Sequence, residues 1–257
     1  MPSERVRFES STGASLAARL ELPDHPPEAC ALFAHCFTCS KDLKAVGQIS
    51  DALTGAGLGV LRFDFTGLGE SEGDFSETGF VSDVNDLLAA AEFLAGRLHP
   101  PKILVGHSFG GAAVLSAAQH LPSVRAVATI GAPADPAHIT HLFGSSIDEI
   151  RREGKADIVL GGRTVSIGRA FLEQLESADQ QEAIRDLGRA LLIFHSPVDL
   201  IVGIENAAQI FELARHPKSF VSLDRADHLL TDSTDSRYVG KVLAAWVEKY
   251  VATEKEK

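Results

Sequence analysis

Cysteine is scarce in this chain of 257 residues, which contains only Cys30, Cys36 and Cys39. An odd and small number of cysteines in so long a chain excludes a disulfide framework as the basis of the fold. Cys36 and Cys39 have the C-x-x-C spacing found in redox sites. Buried cysteines also serve as small apolar side chains where a strand meets a loop. We favour the second interpretation, and zinc binding is disfavoured because no second cysteine pair follows.

Positive charge is also in short supply, because 24 Lys and Arg residues stand against 35 Asp and Glu residues, giving a net charge of −11. An acidic surface repels phosphate backbones and anionic lipids, so we expect neither nucleic acid nor a membrane as partner. No segment approaches the roughly 20 apolar residues of a membrane helix, and residues 1–5 offer no apolar start typical of a signal peptide. These features favour a cytoplasmic protein. They also favour a single globular domain over residues 1–257.

The pattern of apolar residues predicts an α/β fold. Residues 6–22 alternate as an antiparallel strand pair does, and further apolar runs have the length of buried strands. Segments with apolar spacing of three and four separate these runs, as in residues 84–94 and 239–247. We therefore expect a mostly parallel twisted sheet with an antiparallel start and helices on both faces. The predicted buried strands cover residues 31–34, 59–65, 102–106, 124–130, 190–194 and 219–223.

One segment interrupts this alternation, because about 50 residues, 136–189, separate two predicted strands. A small hairpin is predicted around Gly161–Gly162, and a helix over 169–175. Such an excursion is either a structural spacer or a small cap over a binding site, and we favour the cap. Residues 251–257 are charged and predict a solvated tail or the start of a linker to a further domain.

A G-x-S-x-G sequence, Gly106 to Gly110, lies between a predicted strand and a predicted helix. This context is typical of a nucleophile elbow, in which a strained turn presents the serine hydroxyl at a helix N-terminus. Ser108 is therefore the candidate nucleophile. The backbone N–H of Phe109 would point toward an oxyanion that develops on the substrate.

A serine nucleophile needs a base and an acid that orients the base. With an elbow of this kind, the acid and then the histidine follow later in the chain. His228, in the loop after the last predicted strand, is the candidate base. Asp199, in the loop after the preceding strand, is the candidate acid, and we favour it over Asp135 and over the aspartates beside the histidine, Asp224 and Asp227.

The second oxyanion donor is expected in the loop after the first parallel strand, where we select the backbone N–H of Phe37. His35 would brace this loop by hydrogen bonding, and His107 and His195 are interpreted as satisfied polar groups. His138 and His141 form an H-x-x-H spacing without a carboxylate partner, so we expect no metal there.

These segments together resemble the α/β-hydrolase superfamily over about residues 6–250. Residues 63–73, FDFTGLGESEG, resemble the D-x-x-G-x-G-x-S turn that follows a strand in many members. The common oxyanion loop of the superfamily has glycine where this chain has Cys36. More narrowly, FAHCFTCSKD at 33–42 and GHSFGG at 106–111 are similar to the hydrolase half of bifunctional proteins that carry an OsmC-type domain. This resemblance implies a carboxylesterase-like activity and allows a covalently fused C-terminal OsmC-type domain.

The sequence thus predicts a serine hydrolase that cleaves short-chain carboxylic esters, without metal or organic cofactor. A thioesterase, peptidase, perhydrolase or C–C bond hydrolase on the same triad is the nearest alternative. A non-catalytic domain that docks a redox partner is the other. The oligomeric state stays open. The side chains predicted to shape the acyl pocket are Leu142, Phe143, Phe171 and Val202.

Overall fold

The computed structural model describes residues 2–160 and 163–251, without the side chain of Arg163. The turn predicted at Gly161–Gly162 and the tail predicted beyond Val251 lie outside these residues.

The ten described strands are β1 Ser3–Glu9, β2 Ser15–Glu21, β3 Ala29–Ala34, β4 Leu58–Phe63, β5 Pro101–His107, β6 Ala126–Ile130, β7 Lys155–Leu160, β8 Arg163–Gly168, β9 Ala190–His195 and β10 Lys218–Ser222. Eight of them form one sheet, in the order β1-β2-β4-β3-β5-β6-β9-β10. β1 and β2 pair antiparallel, as do β2 and β4, and every other pairing in this sheet is parallel. This arrangement confirms the predicted parallel sheet with an antiparallel start.

The described α-helices are α1 Lys44–Gly55, α2 Phe80–Arg97, α3 Phe109–Ala117, α4 Ser146–Glu153, α5 Arg169–Ser177, α6 Gln180–Arg185, α7 Glu205–Leu213 and α8 Ser233–Val251. Helices cover both faces of the sheet, and successive strand residues pack against opposite faces. In β3, Leu32 packs into a cluster that includes Leu87 of α2 and Val114 of α3. Its neighbour Phe33 packs on the opposite face with residues of α1 and α8, such as Ile49.

The segment between β6 and β9 forms its own small elements. A 3-10 helix, Pro136–Phe143, is followed by α4, by the antiparallel pair β7 and β8, and by α5 and α6. Ile150, Ile167 and Phe171 of this segment are buried in the same cluster as α2 and α3, so the segment packs on that side of the molecule. Its apolar residues therefore serve first to attach it to the sheet domain.

Among residues 2–160 and 163–251, no helix combines the length and apolar character needed to span a membrane.

Candidate active site

Ser108 lies at the turn between β5 and α3, where its backbone adopts φ 55° and ψ −123°. A side chain rarely tolerates positive φ, so the turn is strained. The chain can turn this sharply because Gly106 and Gly110 lack side chains. A Cβ at Gly106 would overlap the backbone of Gly110, and one at Gly110 would overlap the carbonyl oxygen of His35. The glycines predicted as an elbow therefore hold Ser108 at the carboxyl end of the sheet.

Ser108, His228 and Asp199 form a continuous hydrogen-bonded chain. Nε2 of His228 is 2.9 Å from Oγ of Ser108, and Nδ1 of His228 is 2.7 Å from Oδ2 of Asp199. A carboxylate accepts hydrogen bonds only, so Nδ1 carries the proton and Nε2 is free to accept from the serine hydroxyl. The structure therefore brings together the three residues that the sequence analysis selected, although they lie 29 to 120 residues apart along the chain.

The carboxylate of Asp199 is held in its charged form. Its other oxygen, Oδ1, accepts backbone N–H groups of Ile201 at 2.9 Å and Val202 at 3.0 Å. Burial by itself raises the pKa of Asp199. The hydrogen bond from His228 and those two backbone N–H groups outweigh burial, and the pKa lies below its ordinary value. A charged carboxylate is what stabilises an imidazolium at His228.

The competing acids have other partners. Asp135 caps the 3-10 helix by accepting the backbone N–H of Ala137 at 2.8 Å. Asp227 accepts the backbone N–H of Thr231 at 3.0 Å, within its own turn. Asp224 lies beside Ser222 in the loop after β10. The hydrogen bonds of these three aspartates stay within their own turns or helix cap, as is common for short acidic side chains.

Two buried histidines support the loops that carry the acid and the base. Nε2 of His107 donates to the backbone carbonyl of His228 at 2.7 Å, and Nε2 of His195 donates to the backbone carbonyl of Val202 at 2.8 Å. Burial, reinforced by nearby His228, lowers the pKa of His107 to about 3, and burial also lowers that of His195. Both imidazoles are therefore neutral donors. The sequence predicted satisfied polar groups at both positions, but Nδ1 of His195 is buried without a hydrogen-bond partner.

Gly131 is a site residue that the sequence analysis did not select. It follows β6 with φ 56°, and a Cβ there would lie 3.3 Å from Oδ2 of Asp199 and 3.5 Å from Nδ1 of His228. The signal was a glycine directly after a buried strand, next to the strand that carries the nucleophile. Gly131 lets the backbone pass close to the hydrogen bond between acid and base.

The loop after β3 is closed by a disulfide between Cys36 and Cys39. This bond corrects the interpretation of Cys36 and Cys39 as small apolar side chains, which the sequence analysis favoured over a redox role. A turn with a 3.0 Å hydrogen bond from the N–H of Cys39 to the carbonyl of Cys36 brings their Cα atoms to 5.3 Å, a usual separation for a disulfide. Cys30 is the buried small apolar side chain of the alternative interpretation. His35 braces the loop as predicted, since its Nδ1 donates to the carbonyl of Cys36 at 2.8 Å.

Asp64 anchors the other end of this loop. Its carboxylate accepts the backbone N–H of Lys41 at 2.6 Å, the Nζ of Lys41 at 2.8 Å and the backbone N–H of Glu70 at 2.9 Å. Nζ of Lys41 also contacts the carboxylate of Glu70 at 2.6 Å, so the buried charge of Asp64 is paired. Gly69 makes room for this carboxylate, because a Cβ there would overlap it. The D-x-x-G-x-G-x-S turn therefore holds the loop that follows β3.

A cavity of about 550 Å³ opens at Ser108 and His228. Of the side chains predicted to shape the acyl pocket, Leu142 and Val202 line it. Phe143 and Phe171 do not, which corrects that prediction. Both are buried and pack around the ring of Phe37, at centroid distances of 6.1 and 5.6 Å. The other lining residues include apolar side chains that the sequence did not single out: Leu43, Ile139, Leu160, Ile201 and Leu229.

Within the described ranges, His, Cys, Asp and Glu side chains form no group of three or more that could hold a metal ion. His138 and His141 lie at the cavity, with ring centroids 4.7 Å apart. His138 is engaged through Nε2, which donates to the carbonyl of Ile201 at 3.2 Å.

The chain belongs to a known family, since a model of the Alpha/beta hydrolase family matches residues 31–244. The chain is similar to a solved structure, the esterase domain from a Rhodothermus marinus protein. The two are 54% identical, the match covers 98% of this chain and 100% of that one, and the TM-score is 0.82.

The chain is also similar, more distantly, to two other proteins. Est1E from Butyrivibrio proteoclasticus, solved with ferulic acid bound, is 19% identical, with a TM-score of 0.79 over 96% of this chain and 100% of that one. At this identity the likeness shows the fold alone. The uncharacterised protein YfhR of Salmonella typhimurium is 25% identical over 232 residues, which are 89% of this chain and 73% of that protein.

Proposed function

We propose that this protein is a serine hydrolase that cleaves short-chain carboxylic esters through an acyl-enzyme on Ser108. The observation that carries this proposal is the chain of two hydrogen bonds, 2.9 and 2.7 Å, that joins Ser108 to His228 and His228 to Asp199. A serine hydroxyl is a weak nucleophile unless a base accepts its proton during attack. Nε2 of His228 is within reach of that proton.

Acylation and deacylation use the same three side chains. Oγ of Ser108 attacks the ester carbonyl carbon as its proton passes to Nε2 of His228. Asp199 stabilises the imidazolium that results, and the imidazolium returns the proton to the leaving alcohol. Water then attacks the acyl-enzyme with His228 as base, and the acid product leaves with Ser108 regenerated.

The backbone N–H groups of Phe37 and Phe109 are the proposed donors to the oxyanion. Phe109 is the first residue of α3, where backbone N–H groups have no partner within the helix. The loop that carries Phe37 touches the start of α3, because the carbonyl of His35 lies directly over Gly110. The rings of Phe37 and Phe109 are 5.4 Å apart, which adds a packing contact between the two segments. Removal of one such donor typically lowers kcat by about 10²–10³.

The acyl group is proposed to occupy the cavity at Ser108. Its volume, about 550 Å³, is within the usual range for small-molecule sites, and most of its side chains are apolar. Ile139, Leu142 and Leu160, all from residues 136–189, contribute to it. We therefore propose that this segment is a cap over the substrate.

Two observations favour an ester over the alternatives. The similar Rhodothermus marinus structure, 54% identical over nearly the whole chain, is described as an esterase domain. The hydrogen-bonded set of Ser108, His228 and Asp199 argues against a non-catalytic docking domain, because docking has no use for it. A thioesterase, peptidase, perhydrolase or C–C bond hydrolase would use the same three residues, so the leaving group must be tested directly.

The test is a panel of p-nitrophenyl esters of increasing acyl length, compared with matched thioesters and anilides. We expect turnover of the short esters to exceed that of the thioesters and anilides, and to be abolished in Ser108→Ala. Faster turnover of thioesters or anilides would replace the ester proposal by one of the alternatives. Absence of turnover for every substrate would favour the docking domain. The fused OsmC-type partner stays a prediction from the resemblance alone.

A further inference from the structure

The Cys36–Cys39 disulfide lies where solvent and ligands reach it. Both residues line the cavity that contains Ser108 and His228. Cys39 also lines a second cavity of about 520 Å³, on the side of the D-x-x-G-x-G-x-S turn and strand β8. Cys36 is buried with 3% of its surface exposed, whereas Cys39 is half-buried. The two cysteines therefore differ in exposure, and Cys39 borders both cavities.

We propose that this disulfide is a thiol-exchange site that takes low-molecular-weight thiols and is attacked at Cys39. A thiolate RS⁻ forms a bond to Sγ of Cys39, the Cys36–Cys39 bond breaks, and its electron pair leaves on Sγ of Cys36. A second RS⁻ then attacks the mixed disulfide, which gives RSSR and the thiolate of Cys39. The protein disulfide gains two electrons and the two thiols lose them, and both cysteine thiolates take protons from water.

The exchange bears on the backbone that holds the proposed oxyanion donor. Phe37 lies between the two cysteines, so the disulfide closes a ring of four residues around its N–H group. The ring also contains Thr38, which is held at φ 59°. A side chain at positive φ is costly, and it persists where the surrounding structure imposes it. Opening the disulfide removes one constraint on this turn and lets the N–H of Phe37 move away from the oxyanion position.

The consequence for hydrolysis rests on the proposed function. Deletion of an oxyanion donor lowers kcat by about 10²–10³, and displacement of the donor should lower it less. We therefore expect kcat of the reduced protein to be roughly 10-fold lower. KM should change by less than about twofold, because most apolar side chains that line the cavity, such as Leu142 and Val202, lie outside this ring. Hydrolysis would thus be fastest in the oxidised protein.

Site-resolved mass spectrometry tests the exchange itself. The full chain, oxidised, is exposed briefly to reduced glutathione at pH 8, quenched in acid, and alkylated with N-ethylmaleimide. We expect glutathione on Cys39 and maleimide on Cys36. Cys30 provides the internal control, since burial raises the pKa of its thiol and should keep it unmodified in the folded protein. Glutathione on Cys36, or on neither cysteine, would overturn the proposal.

Kinetics on desalted oxidised and reduced protein test the consequence, with Cys39→Ser as the permanently open form. Cys39→Ser should match the reduced wild type in kcat under both conditions, and Cys30→Ala should retain the full difference between the two states. Equal kcat in oxidised and reduced wild type, with ester turnover present, would overturn the link to Phe37 and leave the proposed function intact. Absence of turnover in both states would instead refute the proposed function, while the mass spectrum still reports on the exchange.

Discussion

His107, the residue before the candidate nucleophile, donates a 2.7 Å hydrogen bond from Nε2 to the backbone carbonyl of His228, the candidate base. The end of β5 therefore positions both partners of the proposed proton transfer: Ser108 through its backbone, and His228 through the side chain of His107. Burial keeps His107 neutral, with a pKa of about 3, so this hydrogen bond persists at every pH at which the enzyme is expected to work.

Replacement of His107 tests this positioning role. In His107→Leu the part-buried carbonyl of His228 loses its donor, and loss of a buried hydrogen-bond partner costs up to about 1–3 kcal/mol. If part of that cost falls on the placement of the imidazole, kcat drops by about 10-fold while KM stays nearly constant. In His107→Gln the side-chain amide can replace the Nε2–H donor, so we expect most of the activity to return. Equal activity of the Leu and Gln variants would contradict the positioning role.

The choice of Asp199 as acid is tested by a matched pair of variants. In Asp199→Asn the carboxylate that holds Nδ1–H of His228 is replaced by an amide, and we expect kcat to fall by roughly 10³–10⁴ through the wrong tautomer. Asp135→Asn should stay within about twofold, because asparagine also caps the 3-10 helix that begins at Pro136. Steady-state kinetics on one ester measure both. Retained turnover in Asp199→Asn with loss in Asp135→Asn would reverse the assignment.

The contact between Gly69 and Asp64 predicts a large loss of stability on adding one methyl group. Gly69 and Gly144 both have positive φ angles, 57° and 51°, so alanine carries a backbone cost at either position. At Gly144 a Cβ meets nothing within 4 Å, whereas at Gly69 it overlaps the carboxylate of Asp64. We expect Gly69→Ala to be more destabilising than Gly144→Ala by at least ~1 kcal/mol in urea unfolding. Equal losses would show that Asp64 moves aside without cost.

Two aspartates on α2 predict an unusual dependence of stability on pH. Burial raises the pKa of Asp86 to about 6, and burial with the neighbouring charge of Asp86 raises that of Asp83 well above its ordinary value. The folded state thus binds more protons than the unfolded state. The two aspartates therefore lower the free energy of unfolding as pH rises from the ordinary pKa of an aspartate, 3.8, to pH 6 and beyond.

Asp83→Asn should remove part of this loss, since Oδ2 of Asp83 is buried without a hydrogen-bond partner. Relative to wild type, we expect the variant to gain unfolding free energy between pH 5 and pH 8. The buried histidines act in the opposite direction, because their lowered pKa values favour folding as pH rises. The difference between the two proteins is therefore the quantity to measure, by urea titration at each pH. A difference that does not change with pH would contradict the raised pKa of Asp83.

Much of this architecture was predictable because periodic burial leaves a clear trace in the sequence. The parallel strands, the antiparallel start and the flanking helices followed from apolar spacing, and Ser108 followed from its glycines. Asp199 and His228 could be selected because each lies in the loop that follows one of the last two strands, β9 and β10. All of these depend on local sequence and on strand order.

What could not be predicted depends on contacts between distant segments. Phe143 and Phe171 are as apolar as Leu142, and only the packing of residues 136–189 decides that the two phenylalanines surround Phe37 while Leu142 faces the cavity. The pairing of Lys41 with Asp64, 23 residues away, left no periodic signal. The bond between Cys36 and Cys39 is a local exception, since it depends on the conformation of the turn between them.

The central claim is that Ser108 is a nucleophile activated by His228, and one measurement tests it most directly. The intact protein is incubated with a fluorophosphonate, and its mass and modified peptide are determined, with Ser108→Ala and His228→Ala as controls. We expect a single adduct on Ser108, absent in Ser108→Ala and formed far more slowly in His228→Ala. No adduct on Ser108 in a protein with a native circular dichroism spectrum would contradict it.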